Sequence, residues 1–462
     1  MTAPDPWASA AEIARGVNAG DWRASDVVAG ALATIGARDK TLNAFTDLLV
    51  ERAEMRAIEI DSRRGACGPL AGVPFAVKNL IDVAGLPTRA GSRINRERIA
   101  AVDDATLVTR LEAAGAILVG ALNMGEYAYD FTGENAHDGP SRNPHDPDCM
   151  TGGSSGGSGA AVGGGLVPFA LGSDTNGSIR VPASFCGIFG LKPTYGRLSR
   201  AGSFPFVSSF DHLGPLARSA EDLALAYDAM QGPDPLDPVC STRGAEPVAP
   251  LLVQGAAGLR VAVAGGYFRK GASRQALDAV EHVASAIANQ PEIELPHPDL
   301  ARSAAYLIST TEGAALHLER LRTRPRDFDV DVRDRLIAGA MVPAPLVTQA
   351  QKFRRWYRDA VLRLFDGVDA IIAPATPTPA PRIGQKTFVL DGEEMLVRPN
   401  IGLFTQPISF IGLPVVAVPV QGEMPIGVQI IAASWREDVA LRLAFELERR
   451  GVVQAQRPRE HP

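Results

Sequence analysis

Cysteine and histidine are scarce in this sequence. Its 462 residues include four cysteines, Cys67, Cys149, Cys186 and Cys240, which lie far apart and form no CxxC pair. The seven histidines are scattered and include no HExxH pattern. A disulfide framework and a zinc site therefore have no support, and free thiols fit a reducing compartment. We expect a protein that needs neither a metal nor an organic cofactor.

Long apolar runs and an excess of positive charge are also missing. No run reaches the length of about 18 apolar residues that a membrane span requires. Residues 1–7 contain neither the basic start nor the apolar segment of a signal peptide. The formal net charge is −6, and arginines are mixed with acids and aromatics, as in 354–359, which is typical of a solvated helix. The sequence predicts a cytoplasmic protein that binds neither membranes nor nucleic acid.

Short apolar stretches alternate with helical patterns along most of the chain. Strand patterns occupy residues 73–77, 116–119, 166–171, 259–264, 370–373 and 415–418. Helical spacing occupies residues 27–35, 51–61, 106–114, 274–288, 351–365 and 439–450. This alternation favours an α/β protein whose largely parallel or mixed central sheet is covered by helices on both faces.

The domain organisation follows from the same pattern. We predict that residues 1–462 form a single domain, although the length would also allow two or three. Residues 1–65 are expected to be helical, 66–220 to form the core that carries the chemistry, and 221–453 to complete the α/β fold. Residues 454–462 are expected to fray.

Glycine and serine dominate the segment from residue 152 to residue 196. Two serines in it, Ser154 and Ser178, are each preceded by glycine. A phosphate-binding loop would require the pattern GxxxxGK[ST], and no lysine stands at the required place. Glycine beside serine lets the chain turn sharply and lets a substrate approach the hydroxyl and the nearby N–H groups. The segment therefore favours serine chemistry.

A serine hydroxyl is a weak nucleophile and requires a base. The glycine-rich segment contains no histidine, so a Ser-His-Asp triad has no local support. Lys78, one of only six lysines, ends an apolar strand pattern. A desolvated lysine can lose its proton, whereas arginine cannot. Lys78 is therefore the candidate base of a Ser–Lys system, and a lysine that snorkels from a strand end is the alternative.

Several motifs together resemble the amidase signature family. They are GVPFAVK at 72–78, GGSSGGS at 152–158, LGSDTNGSIR at 171–180, FCGIFGLKPT at 185–194 and PIGVQII at 425–431. The resemblance covers nearly the whole chain in the same order. It implies the amidase signature fold, with a large mixed central sheet, and hydrolysis of amide bonds through a serine acyl-enzyme.

The resemblance also implies the role of each catalytic group. Ser178 corresponds to the acylated serine, Ser154 to a bridging serine held by a cis peptide bond, and Lys78 to the base that draws the proton through Ser154. The backbone N–H groups of residues 175–178 are the expected oxyanion donors: Thr175, Asn176, Gly177 and Ser178.

Neighbouring polar groups receive supporting roles. Asp174 and Arg180 are expected to form an ion pair rather than to contact the substrate. Cys186 is expected to pack rather than to react, and Ser155 is the serine most easily mistaken for the relay.

One departure from the family pattern lies beside the nucleophile. The family usually has glycine where this chain has Asn176, and asparagine tolerates unusual backbone angles. Asn176 and the segments 195–206 and 398–405 together resemble the 1-carboxybiuret hydrolase branch of the family. That branch implies a small anionic amide substrate, and Arg335 and Arg398 are the candidates to bind its carboxylate through two parallel hydrogen bonds. Surface arginines are the alternative for both.

Two other functions stay open at this point. One is the glutamine-hydrolysing component of an aminoacyl-tRNA amidotransferase, whose acidic ammonium-binding residue aligns with Gly402 here. The other is an inactive scaffold, which the intact Lys78, Ser154 and Ser178 disfavour. Both enzyme branches associate with a small helical companion subunit, so the resemblance implies such a partner, and we also expect a two-fold assembly of the large chain.

Overall fold

Buried apolar strands form a ten-stranded mixed sheet in the computed structural model, which describes residues 4–63 and 65–459. The strand order is β1-β3-β2-β4-β6-β5-β11-β12-β8-β7, and β9 and β10 form a separate hairpin. The strands are β1 (Phe45–Leu48), β2 (Pro74–Lys78), β3 (Ile117–Leu122), β4 (Phe169–Asp174), β5 (Phe189–Lys192), β6 (His212–Ala217), β7 (Val261–Val263), β8 (Ala370–Pro374), β9 (Thr387–Leu390), β10 (Glu393–Leu396), β11 (Val415–Val420) and β12 (Ile426–Ala432).

Helices surround this sheet. They are α1 (Ala10–Ala19), α2 (Ala24–Leu42), α3 (Val50–Ser62), α4 (Thr106–Ala113), α5 (Gly156–Gly163), α6 (Arg180–Phe185), α7 (Ala220–Met230), α8 (Arg274–Ile287), α9 (Pro298–Thr323), α10 (Val330–Ala340), α11 (Ala344–Leu362), α12 (Val397–Asn400), α13 (Gln406–Ser409) and α14 (Glu437–Arg449). Every residue of β2, β3, β4 and β6 is buried. Because successive side chains on a strand point to opposite faces, the middle of the sheet is covered on both.

The prediction of a mixed sheet is confirmed, and most of its strand pairs are antiparallel. The pairs β3–β2, β2–β4 and β7–β8 are parallel, and the other six pairs of the described sheet are antiparallel. The antiparallel strands β5, β6 and β12 carried no strand prediction. Central strands buried on both faces do not alternate between polar and apolar residues, so their pattern is weak.

The prediction that residues 1–65 are helical was wrong at one point. Strand β1 lies between α2 and α3 and pairs antiparallel with β3 at the edge of the sheet. The N-terminal segment is also joined to the core, because the N–H groups of Ala10 and Ala11 donate to the buried carboxylate of Asp222 at 3.0 and 2.9 Å. A carboxylate at a helix N-terminus satisfies free N–H groups and complements the helix dipole.

Two further differences concern the second half of the chain. The 26-residue helix α9 had no prediction, and α11 begins at Ala344 rather than near residue 351. In the tail, residues 454–459 form no regular element, yet Ala455 is buried and Arg457 reaches Asp5 at 3.2 Å. The rest of the tail predicted to fray, residues 460–462, lies outside the described residues.

The topology brings two strand ends together. Because β2 and β4 are parallel neighbours, their carboxyl ends, Lys78 and Asp174, meet at one edge of the sheet. The connections that follow such ends are the usual place for a ligand site in α/β proteins. The segments that contain Ser154 and Ser178 lead into α5 and α6 at this edge.

Candidate active site

Lys78 is fully buried and is held by three serine hydroxyls. Its Nζ lies 2.6 Å from Ser154 Oγ, 2.9 Å from Ser173 Oγ and 3.1 Å from Ser155 Oγ. None of these partners is charged, so the ammonium form gains no direct ion pair to offset its burial. The alternative of a lysine that snorkels to solvent is excluded by its burial.

Burial lowers the pKa of Lys78 from its ordinary value to about 7. Asp174, Asp211 and Asp130 act in the opposite direction through space, but none is a hydrogen-bond partner of Nζ. Desolvation disfavours the charged form of a lysine, which is the condition that a lysine base requires. Lys78 is therefore available as a base near neutral pH.

Ser154 lies in the first glycine-rich segment and contacts Lys78 from there. The peptide bond from Gly153 to Ser154 is cis, as the resemblance implied. Ser154 is fully buried, and helix α5 begins two residues later. Ser155, in turn, also faces the backbone of β4, because its Oγ donates to Ser173 O at 3.2 Å. The shorter contact to Lys78 belongs to Ser154.

The loop of residues 175–178 carries the candidate nucleophile, Ser178. Among the hydrogen bonds of residues 4–63 and 65–459, none is donated by the backbone N–H of Asn176, Gly177 or Ser178. Gly177 in this loop has a positive φ of 146°. A Cβ there would lie 2.3 Å from Thr405 Oγ1, which itself donates to Asn176 O at 2.7 Å. Glycine is required by this close approach, and the loop can present N–H groups to an oxyanion.

Asp174 and Arg180 form a buried ion pair beneath this loop, as predicted. Arg180 Nε and Nη2 each donate to the carboxylate at 3.0 Å, and both side chains are fully buried. Burial alone would raise the pKa of Asp174, but the Arg180 guanidinium holds it well below its ordinary value. Arg180 also donates to Gln429 Oε1 at 2.6 Å and to Thr405 O at 3.2 Å. The pair thus fixes the loop from below and does not face the cavity.

Cys186 is buried and contacts the peptide of Thr151, 3.4 Å away, through its Sγ. Burial raises the pKa of its thiol, which leaves the inert protonated form. The prediction that Cys186 packs is confirmed.

A cavity of about 790 Å³ opens in front of Ser178. Its lining includes Thr175, Asn176 and both predicted arginines, Arg335 and Arg398. It also includes residues of α9 that no sequence pattern indicated: Asp299, Arg302, Ser303, Tyr306, Leu307 and Ser309. They had no prediction because α9 itself was not predicted.

The predicted arginines have different surroundings. Arg398 lies 2.6 Å from Asp130, 3.3 Å from Glu134 and 3.2 Å from Asp331, so its charge is already neutralised. Arg335 instead donates to the backbone oxygens of Asp331 and Tyr129 and covers the Tyr129 ring, 4.0 Å from its centroid.

Arg302 resembles Arg335 in this respect. It donates to Gln406 Oε1 at 3.0 Å, Pro399 O at 2.7 Å and Asn400 Oδ1 at 2.8 Å. The hydrogen-bond acceptors of Arg302 and Arg335 among the described residues are all neutral, so the cavity wall holds two positive charges without a bonded counter-charge.

Gly402 lies directly behind the ring of Phe131. A Cβ at Gly402 would lie 2.5 Å from Phe131 Cζ, which no side chain tolerates unless the ring moves. An acidic residue at this position would therefore displace the Phe131 ring from its present place.

Metal-binding clusters and membrane-spanning helices are two further features to compare with the sequence predictions. In residues 4–63 and 65–459 no group of three or more His, Cys, Asp and Glu side chains is arranged to hold a metal ion. None of the helices in that same part of the chain combines the length and apolarity needed to cross a membrane.

Comparison with known proteins identifies the family of this chain. The amidase family profile matches residues 26–441. The chain belongs to the amidase family. It is 54% identical to AtzE, the 1-carboxybiuret hydrolase subunit of Pseudomonas sp. strain ADP, over 96% of this chain and 98% of that protein. It is 37% identical to the glutamyl-tRNA(Gln) amidotransferase A chain of Azotobacter vinelandii, over 95% and 96% of the two proteins.

Solved structures share the fold. One, described as an unexpected vestigial protein complex that reveals the origins of an s-triazine catabolic enzyme, superposes with a TM-score of 0.96 at 53% identity, covering 97% of this chain and 100% of that chain. The corresponding glutamyl-tRNA(Gln) amidotransferase component of Thermotoga maritima gives 0.81 at 29% identity, covering 97% and 96%. The expected amidase signature fold is confirmed.

The lowered pKa of Lys78 predicts the pH dependence of this amidase. Only neutral Lys78 accepts a proton, so kcat/KM should rise as the pH rises through about 7. Lys78→Arg should be inactive at every pH because arginine stays charged. Rates of ammonia release should be measured from about pH 5.5 to about pH 8.5, with thermal melting of the variant as a control for folding. A flat profile for the unaltered chain would contradict the role of Lys78.

Proposed function

We propose that this amidase hydrolyses a C–N bond of a small carboxylated urea or amide, such as 1-carboxybiuret, and releases ammonia. The observation that carries the proposal is the short contact from buried Lys78 to Ser154, beside a cavity that contains Ser178. The 54% identity to a 1-carboxybiuret hydrolase subunit over nearly the full length supports the choice of substrate.

The proposed reaction begins with Ser178. Its Oγ attacks the carbonyl carbon while its proton passes through Ser154 to neutral Lys78. The N–H groups of Thr175, Asn176, Gly177 and Ser178 stabilise the oxyanion, and each such donor typically contributes about 3 kcal/mol to the transition state. The C–N bond then breaks, the proton returns to the nitrogen, and ammonia leaves an acyl-enzyme. Attack by water on the ester, with the same proton path, frees the acid and Ser178.

We assign recognition of the substrate carboxylate to Arg335 and add Arg302, which the sequence did not suggest. Both line the cavity and both donate only to neutral acceptors, so a substrate carboxylate would give either of them a charge-assisted hydrogen bond. Arg302 and Ser309 are seven residues apart on α9, or about 10 Å along the helix axis. A linear substrate with its reacting carbonyl near Ser309 can extend in this direction toward Arg302.

We assign a supporting role in substrate binding to Arg398, the other arginine predicted from the sequence. Its partner Asp130 also accepts from the N–H groups of Thr132 and Gly133 at 3.0 and 2.6 Å. A Cβ at Gly153 would lie 2.4 Å from Asp130 Oδ2. Arg398 therefore holds the loop that supports the Gly153–Ser154 peptide, at the cavity wall.

The alternative of glutamine hydrolysis is disfavoured by the packing of Gly402 against Phe131. An inactive scaffold is disfavoured because the Lys78–Ser154 contact is formed and Ser178 faces a cavity. Assays with glutamine as well as carboxylated ureides compare the three functions directly.

The serine variants test the catalytic roles. Ser178→Ala should lower kcat at least about 1,000-fold, because the acyl-enzyme cannot form. Ser154→Ala should lower it about 100-fold or more, and Ser155→Ala, the matched control, less than about tenfold. Ammonia release from 1-carboxybiuret measures all three, and circular dichroism checks their folding. Equal losses for Ser154→Ala and Ser155→Ala would remove the basis for a single relay.

A chelator should leave the rate of ammonia release unchanged, since the proposed route uses no Lewis acid.

The arginine variants test the carboxylate site. Arg302→Met and Arg335→Met should each raise KM for an anionic substrate about tenfold, because each removes a charge-assisted hydrogen bond. The control is Arg333→Met, on the same helix as Arg335. The guanidinium of Arg333 lies 2.8 Å from Asp334, and this residue is not part of the cavity lining. A neutral amide such as butyramide should show no change in KM. An equal rise for neutral and anionic substrates would argue against charge recognition.

We also propose a two-fold assembly of the large chain with a small helical companion protein. A solved relative at 53% identity is described as a protein complex. The described surface includes exposed apolar side chains such as Met55 and Ile58 on α3 and Met341 after α10, at 62%, 60% and 77% exposure.

Co-expression tests this partner. A companion that binds only the folded chain should raise its melting temperature and its soluble yield by mass action. The chain should be produced alone and with short proteins encoded beside it, and mass and activity should be compared. A fully active monomer that gains nothing from any neighbour would contradict the companion.

A further inference from the structure

Gln406 presents an unpaired hydrogen-bond donor at the cavity in front of Ser178. Its Oε1 accepts from Arg302 Nε at 3.0 Å. Because a guanidinium only donates hydrogen bonds, this contact fixes the oxygen of the amide toward Arg302 and leaves the NH2 group on the other side. Nε2 donates to no acceptor in the part of the chain that the structure describes.

This NH2 group can be reached from the cavity. Gln406 is 5% exposed and lines the cavity together with Ser178 and Arg302. Among residues 4–63 and 65–459, the side-chain nitrogens and oxygens that are both unpartnered and closed to solvent do not include Gln406 Nε2. Nε2 therefore keeps accessible surface at the cavity, where the acceptor of a ligand can replace water.

The place of this amide along the cavity follows from its two neighbours. The preceding residue, Thr405, donates through Oγ1 to Asn176 O at 2.7 Å, so the backbone of Gln406 begins beside the loop of Ser178. The side chain of Gln406 ends against Arg302. The amide thus lies between the candidate nucleophile and an arginine to which we assign the substrate carboxylate.

An NH2 group without a partner selects a hydrogen-bond acceptor. The substrate carboxylate is drawn to the arginines, since charge-assisted hydrogen bonds are stronger than neutral ones. The acceptor that remains for Gln406 is a carbonyl oxygen between the reacting carbonyl and the carboxylate. A biuret chain has such a carbonyl at its centre, whereas a simple ureido acid has a methylene group there. A methylene group would remove water from the NH2 group without giving it an acceptor, which costs binding free energy.

We propose that Gln406 Nε2 donates to the central carbonyl oxygen of the substrate and so makes the enzyme select biuret-like chains over chains with a methylene group at that place. This role rests on the proposed function and adds a neutral specificity group to the two arginines. Arg302 is also a positioning residue in this role, because it holds Oε1 and so turns the NH2 group away from itself.

A matched substrate pair isolates this contact. Malonurate (N-carbamoylmalonamate) and N-carbamoyl-β-alanine have the same length, charge and terminal ureido group, and differ only in C=O against CH2 beside the ureido nitrogen. Their kcat/KM values give a carbonyl-to-methylene ratio, and comparison between variants cancels their different intrinsic reactivities. Where turnover is too slow, the ratio of their inhibition constants against 1-carboxybiuret hydrolysis replaces it.

We expect Gln406→Met to lower this ratio about tenfold, because the central carbonyl loses its donor. Gln406→Glu keeps an oxygen for Arg302 but replaces the NH2 group by an oxygen that cannot donate, so it should lower the ratio at least as much. Arg335→Met is the control, because it removes a charge that both substrates use. It should lower both kcat/KM values and leave their ratio unchanged. Melting curves establish that each variant is folded.

Three results would overturn this role. They are an unchanged ratio in Gln406→Met, an unchanged ratio in Gln406→Glu, and a fall of the ratio in Arg335→Met equal to that in Gln406→Met. The first would leave Gln406 as a support for Arg302 alone, the second would assign the contact to other atoms of the residue, and the third would assign it to the cavity as a whole. Failure of the unaltered chain to release ammonia from 1-carboxybiuret or either compound would instead reject the proposed function on which this role depends.

Discussion

The desolvation of Lys78 is the constraint on which the site depends. A lysine in water is charged at neutral pH, and a buried lysine beside a carboxylate would remain so. Here Nζ meets three hydroxyl groups, and burial lowers its pKa to about 7. The sheet supplies the burial, because β2 lies between β3 and β4 and every residue of these strands is covered.

The negative charge near the lysine is balanced by a separate arrangement. Asp174 ends the strand beside β2, and its field favours the charged form of Lys78. Arg180 binds that carboxylate with two hydrogen bonds of 3.0 Å and so neutralises it where it stands. The same arginine reaches Thr405 and Gln429, so one buried ion pair both limits the charge near Lys78 and holds the loop of Ser178. A buried pair of this kind is strongly destabilised when one partner is removed, which ties the site to the stability of the fold.

Substrate selection is built on other parts of the chain. Helix α9 carries Arg302 and Ser309 on the cavity wall, α10 carries Arg335, and Gly402 packs under Phe131. These elements adjoin the sheet edge proposed for catalysis, which is made from β2, β4 and the two glycine-rich loops. The proposed catalytic residues and the cavity wall thus come from different segments, so substrate preference can change while Lys78 and its serines remain.

The sequence alone was sufficient to identify the family and the mixed α/β fold and to suggest Lys78, Ser154 and Ser178 as catalytic residues, because strand periodicity and glycine-flanked serines are local patterns. It also predicted the ion pair of Asp174 with Arg180, two residues of the same motif. It did not show β1, α9 or the antiparallel strands β5, β6 and β12, whose patterns are weak until their partners are known. The folded structure was needed to show that Arg398 faces three carboxylates while Arg302 and Arg335 donate to neutral oxygens, and that Asn176 Oδ1 is left unpaired among the described residues. Charge compensation and hydrogen-bond satisfaction depend on contacts between residues far apart in the chain, and a single sequence carries no record of those distances.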